Sequence, residues 1–366
     1  MAIAQGLTEL SLGKPPMIRR TLLLAATSIA LLAGPAAAQS DPATMRVVGN
    51  FSANRAHVEG IERPFFAQLA QAAGIRTNVT FNPMDQLGIQ AADALRLLRS
   101  GAFDVMSVQI GMASRDDPFF EGLDLVGVST DMAQLRRAVD SYREAFDRRL
   151  QTRFNSKVLT LWPFGPQVIY CNAPIRTMDD LRGLRVRTFT PSMAALMQHF
   201  GATAVTLQFS EVYPALQRGV AQCAITSPTS GNSGNWPEVT THFLPLSLGG
   251  AVQGHFVNLD VWRRFSPERQ AALTAEFRRL ETLMWDLAET ANNDAINCNV
   301  GRDPCTANRR FNMQMVEISP ADQARVRVAA QEVVLPIWRD ACLRVDPTCP
   351  ATWNQTVGPV AGLAIR

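Results

Sequence analysis

Arg187 closes a short run, Gly183–Arg187, in which Leu184 and Val186 share one face of a strand while Arg185 and Arg187 project from the other. An arginine beside a turn can clamp a carboxylate. Its planar fork offers parallel charge-assisted hydrogen bonds, each worth about 1.5–3 kcal/mol where water is excluded, in a geometry lysine cannot copy. That chemistry is capture of a small anion; a solvated surface arginine is the plain alternative. A group of hydroxyls, Thr226, Ser227, Thr229 and Ser230, follows a second candidate strand and suits either a ligand oxygen or the capping of a turn.

Alternating strands and helices have to position these groups. Pro191–Phe200 carries apolar residues at helical spacing and closes on Gly201, and Ala204–Leu207 reads as a strand. Ser210 is the expected N-cap of a helix over Glu211–Arg218, stopped by Gly219, and Val220–Ile225 is the next strand. Such alternation predicts parallel strands with ligands at their carboxyl ends, where Arg187 and the Thr226–Asn235 loop would lie.

This segment resembles the solute-binding subunit of tripartite ATP-independent periplasmic (TRAP) transporters, the dicarboxylate-binding DctP-like family. The resemblance rests on DLRGLRVR (Asp180–Arg187), the Gly201–Thr203 turn, FSEVYPALQRGV (Phe209–Val220) and AQCAITSP (Ala221–Pro228). DQLG (Asp85–Gly88), LRSGAFDV (Leu98–Val105) and VNLDVWRRFSPERQAAL (Val257–Leu273) extend it over nearly the whole mature chain. It implies an α/β, two-lobed periplasmic binding protein fold of type II-like form, each lobe a mixed sheet flanked by helices, with a long lobe-spanning helix. Lobe I would comprise residues 39–163 with a return segment 253–292, and lobe II residues 164–252 with the C-terminal segment 293–366.

In that family an arginine at the position of Arg187 grips an organic acid, so the resemblance implies the same role here. A second, upstream arginine of the family is replaced by Pro166 and Gln167 within WPFGPQVIYCN; glutamine donates a hydrogen bond but brings no charge. Thr226 stands where the family has an asparagine. Strand ends facing an interlobe cleft add Asn50, Phe51 and Gln109, and Trp236, Phe189 and Phe209 are candidate aromatic walls; turn or core packing stays open for each. The implied cycle is capture between lobes, closure at a Trp162–Gly165 hinge, and delivery to TRAP membrane permease subunits.

The first 38 residues read as an export address: a basic Met17–Arg20, an apolar Thr21–Leu32 and a small-residue Ala36–Ala38 site before Gln39, with Met17 an alternative start. The expected location is periplasmic. Without Glu9, Lys14, Arg19 and Arg20 the formal charge falls from +3 to +1, far from the basic footprint of a nucleic-acid binder. The helix expected over Leu135–Phe154 mixes arginines with Asp140, Glu144 and Asp147 and reads as a solvated face. Ser266-Pro267-Glu268 starts another helix running to about Asn292, and Ser319-Pro320 a further one.

The six cysteines fit an oxidising compartment. Cys298 and Cys305, and Cys342 and Cys349, flank Asp-Pro turns and are expected to pair; Cys171 and Cys223 form a third bridge or remain buried thiols. Neither short pair has zinc-knuckle spacing, and His57, His199, His242 and His255 are scattered, so no metal or cofactor is expected. The rival reading is an exported serine hydrolase using the Ser227–Ser233 loop, though Asn235 spoils a Gly-x-Ser-x-Gly elbow. A binding protein for an ABC importer or a sensor is a third, since similar clefts serve all of them.

Overall fold

The computed structural model describes residues 40–366; the export segment expected over residues 1–38 lies outside them. Twelve strands are distributed over two six-stranded sheets among the described residues. In chain order they are β1 (Thr44–Gly49), β2 (Asn78–Pro83), β3 (Val105–Gln109), β4 (Ser156–Val158), β5 (Trp162–Pro163) and β6 (Val168–Cys171). There follow β7 (Arg185–Thr188), β8 (Thr203–Thr206), β9 (Cys223–Thr226), β10 (His242–Leu244), β11 (Val252–Asn258) and β12 (Gln314–Met315).

The first sheet runs β2-β1-β3-β11-β4, with β5 also paired to β11, and the second runs β12-β10-β6-β9-β7-β8. β1, β2 and β3 are mutually parallel, as are β7, β8 and β9, while β11 and β6 enter antiparallel. Both sheets are therefore mixed. Central strands covered on both faces need apolar residues throughout, and β3 and β11 are buried almost end to end. The chain passes between the sheets after β5, again after β10, and once more beyond Asn299.

The helix Pro267–Asn299 carries 33 residues, roughly 50 Å at about 1.5 Å per residue. Ser266 caps its start by accepting the Arg269 N–H at 3.4 Å. Trp285 Nε1 donates to Leu161 O at 2.9 Å beside the first sheet, whereas Asn299 Nδ2 donates to the Tyr170 hydroxyl at 2.7 Å on the second. The helix thus braces both halves, and it outruns its expected end at Asn292 because Asn292 is itself buried in that brace. Its Oδ1 accepts from Thr229, and its amide presses on Gly165, whose φ of +114° and lack of side chain leave the space.

Other expectations shift for identifiable reasons. Gln208, not Ser210, caps the helix Phe209–Gln217, its N–H held by Glu211 Oε2 at 2.7 Å. Val220 is exposed and β9 begins only at Cys223. The strand expected at Val158–Leu161 divides into β4 and β5 because Leu159 and Thr160 both donate to His255 O, two residues opposite one. Trp162 and Pro163, expected in a hinge, are paired to β11. Within the helix Met132–Phe154, Arg149 is not solvated: it is buried against Asp117 at 2.6 Å and reaches Asp346 at 2.5 Å.

All three disulfides are formed: Cys171–Cys223, Cys298–Cys305 and Cys342–Cys349. The first joins register partners on β6 and β9. The C-terminal helices Pro320–Ala329, Leu335–Leu343 and Cys349–Gln355 carry Trp338 and Trp353, whose indole N–H groups donate to Pro118 O and Gly122 O.

Candidate functional site

β7 lies between β8 and β9, so a side chain at its carboxyl end is enclosed by both neighbours. Arg185, at the other end, stays in solvent and bonds Gly219 O and Val220 O. Arg187, two residues on, is 2% exposed. Its Nε donates to Leu207 O at 3.1 Å and its Nη1 to Ile225 O at 2.8 Å, while the guanidinium lies over Phe189 at 4.9 Å and Trp236 at 5.7 Å. Among the described residues it makes no ion pair, and Nη2 has no acceptor. Burial pulls its pKa down to about 9, with Glu211 offsetting part of the effect, so it remains a cation at neutral pH. A buried, unpaired guanidinium is costly unless an anion meets it.

That group lines a cavity of about 560 Å³, its opening included. Of the residues expected at the site, Asn50, Phe51, Gln109, Gln167, Arg187 and Thr226 are all on its wall, drawn from both sheets, together with Phe189 and Phe209. Ser227 and Trp236 are not. The Ser227 hydroxyl accepts the Ser230 N–H at 3.2 Å to cap the helix Pro228–Ser233, a use set by its place before Pro228. Trp236 stacks on Phe209 at 5.5 Å and backs Arg187 from behind. Ser230 is the hydroxyl that the capped helix turns to the cavity.

The remaining wall is largely amide and apolar. Asn54, Gln208 and Gln253 were not anticipated. Asn54 follows Asn50 by one helical turn's spacing, a signal present in the sequence, and Gln253 is the register partner of Gln109, legible only once β3 and β11 are paired. Gln167, which stands where a second arginine was expected from the resemblance, donates through Nε2 to Gly165 O at 3.0 Å. Arg187 is the one charged side chain on this wall among the described residues.

Past Gln109, Phe189 and Ala251 a smaller cavity continues between Glu121 and Asp124. Burial raises the pKa of both, that of Asp124 to about 7 despite bonds from the Val252 and Gly250 N–H groups. No group of three or more potential metal-binding side chains occurs among the described residues, and none of their helices is long and apolar enough to cross a membrane.

Two sheets joined by crossing segments around a cavity with one buried cation define a two-lobed solute-binding protein. Residues 50–340 match the family model DctP, bacterial extracellular solute-binding protein family 7. The chain belongs to that family: it is a periplasmic solute-binding protein of the TRAP type, in a family of binding proteins and not of enzymes. The hydrolase reading falls with that assignment. The sialic acid-binding periplasmic protein SiaP of Vibrio cholerae is 27% identical over 237 residues, 63% of this chain and 70% of SiaP. The C4-dicarboxylate-binding periplasmic protein DctP of Rhodobacter capsulatus is 29% identical over 147 residues, 39% of this chain and 43% of that protein. Among solved structures, a Desulfovibrio salexigens TRAP solute-binding protein with bound orotic acid superposes with a TM-score of 0.76 at 16% identity, covering 87% of this chain and 100% of its own. A Bordetella pertussis receptor binding pyroglutamic acid gives 0.74 at 16% identity, covering 86% and 100%.

Proposed function

We propose that this protein captures a small organic acid between its two sheets, holds the carboxylate on Arg187, and delivers it to the membrane permease subunits of a TRAP transporter. The observation that carries the reading is the buried guanidinium that two backbone carbonyls fix and that makes no ion pair among the described residues. The carbonyls hold the fork in place before the ligand arrives, which lowers the ordering cost of binding. Relatives whose names or bound ligands are acids, sialic, C4-dicarboxylic and orotic among them, support the ligand class.

Asn50, Phe51 and Gln109 would meet the ligand from the first sheet, and Gln167 and Thr226 from the second, with Ser227 and Trp236 supporting from behind. The lobes that close on it would be residues 39–163 with 253–292, and 164–252 with 293–366. Closure follows if the acid binds the closed form more tightly than the open one.

Titration calorimetry of an organic-acid library against the ligand-free protein identifies a binder. Arg187→Ala should then weaken it by about 2–5 kcal/mol, and Arg187→Lys should recover only part, since charge returns without the fork. A folded Arg187→Ala protein with unchanged affinity would remove the arginine from the site.

A further inference from the structure

The amides on the cavity wall are polarised by hydrogen bonds whose direction is fixed. Asn50 Oδ1 accepts the backbone N–H of Phe51 at 2.7 Å, and an N–H can only donate, so that atom is the oxygen and its neighbour is the Nδ2 donor. Asn54 meets the same oxygen at 3.0 Å and must therefore present Nδ2 to it, which leaves Asn54 Oδ1 as the acceptor. Asn50 Nδ2 and Asn54 Oδ1 are both buried without a partner among the described residues. So is Gln208 Oε1, another amide atom on this wall. Side chains that line a cavity and hold unspent donors and acceptors are complementary to what the cavity takes, because leaving them unmet costs free energy.

We propose that the ligand is a singly charged carboxylic acid whose neutral end carries a hydrogen-bond donor and acceptor side by side, as a cis amide or a hydroxyl does. This deepens the carboxylate reading and rests on it. The carboxylate meets Arg187, the one charged side chain of the wall among the described residues. Elsewhere on the same wall Asn50 Nδ2 requires an acceptor and Asn54 Oδ1 requires a donor. A cis amide presents its C=O and N–H on one edge and satisfies both; a trans amide turns them to opposite sides and satisfies one. A second carboxylate has no cation to meet, and its oxygens would face the Asn54 carbonyl oxygen, an acceptor against an acceptor. Extending toward the adjoining cavity does not help a dianion, since Glu121 and Asp124 line it.

Four probes of similar size decide the matter by calorimetry on the wild-type protein. They are pyroglutamate with a cis amide, 3-hydroxycyclopentanecarboxylate with a hydroxyl, cyclopentanecarboxylate with neither, and glutarate with a second charge. The expected result is that the first or second binds at least about ten-fold more tightly than both of the others, the worth of one to two hydrogen bonds left unmet. Asn54→Leu should shrink that probe's advantage over cyclopentanecarboxylate, measured on the same variant, to about three-fold. Glutarate or cyclopentanecarboxylate binding as well as the preferred probe would overturn the proposal and leave the Arg187 carboxylate reading standing. Failure of all four to bind at millimolar concentration would overturn it as well, and a different acid found to lose affinity in Arg187→Ala would show that the broader reading survives.

Discussion

The Glu121 carboxylate accepts the backbone N–H of Ser192 at 3.0 Å, at the start of the helix Pro191–His199. Glu121 follows β3 of the first sheet and Ser192 follows β7 of the second. A negative group at a helix N-terminus is favoured by the exposed N–H groups there. The seam is tight around it, for Ser192 Oγ accepts the Val126 N–H at 3.3 Å and the Thr190 methyl occupies the space a side chain on Gly111 would need.

Glu121→Ala should therefore loosen closure without touching Arg187. The expected outcome is a ligand affinity lower by about ten-fold, the worth of one charge-assisted hydrogen bond at the low end of its range, expressed mainly as faster dissociation. Stopped-flow release with a bound acid reads it directly, and an unaltered dissociation rate would mean that this contact does not hold the halves together.

His57 offers a pH test. It is buried, stacks on Trp162 at 5.3 Å, meets Phe164 edge-on at 5.0 Å, and its Nε2 has no partner among the described residues. Burial pushes its pKa down to about 3 from an ordinary 6.5. The folded ring stays neutral while the unfolded chain takes up a proton below about pH 6.5, so this contribution to stability is complete above that pH and is lost as pH falls toward 3. Urea midpoints between pH 7 and 4 should fall less steeply in His57→Phe than in wild type. An NMR titration showing the native His57 ring charged at pH 5 would contradict this.

The Cys171–Cys223 bridge closes a sequence separation of 52 residues across paired strands of the second sheet. By loop-closure entropy its removal should cost about 4 kcal/mol. Thermal melts of the Cys171→Ser, Cys223→Ser double variant should show a clear fall in midpoint, with ligand raising the midpoint of both proteins. Equal midpoints would place the constraint elsewhere in the fold.

Local pattern reached far in this chain. Apolar spacing and caps such as Ser266-Pro267-Glu268 act between near neighbours, so most helices and strands are readable; strand alternation puts Arg185 and Arg187 on one face, and the family resemblance is what singles out Arg187. The same locality explains the failures: Ser210 is the better cap by type, yet Gln208 takes the role because Glu211 reaches its N–H. Arg149 has the composition of a solvated helix face, and its partners Asp117 and Asp346 are 32 and 197 residues away.

The alternation of elements, the cysteine pairs flanking Asp-Pro turns and the presence of an arginine at a strand end are all legible in the linear chain, because each depends on residues close along it. Packing between distant segments settles that this arginine is buried with no ion pair among the described residues, that Ser230 and not Ser227 faces the cavity, and that amides from β3, β11, the Asn50–Asn54 turn and the Gln208 cap share one wall. Those outcomes depend on which strands pair and which backbone groups meet each side chain, contacts between distant segments that no local spacing encodes.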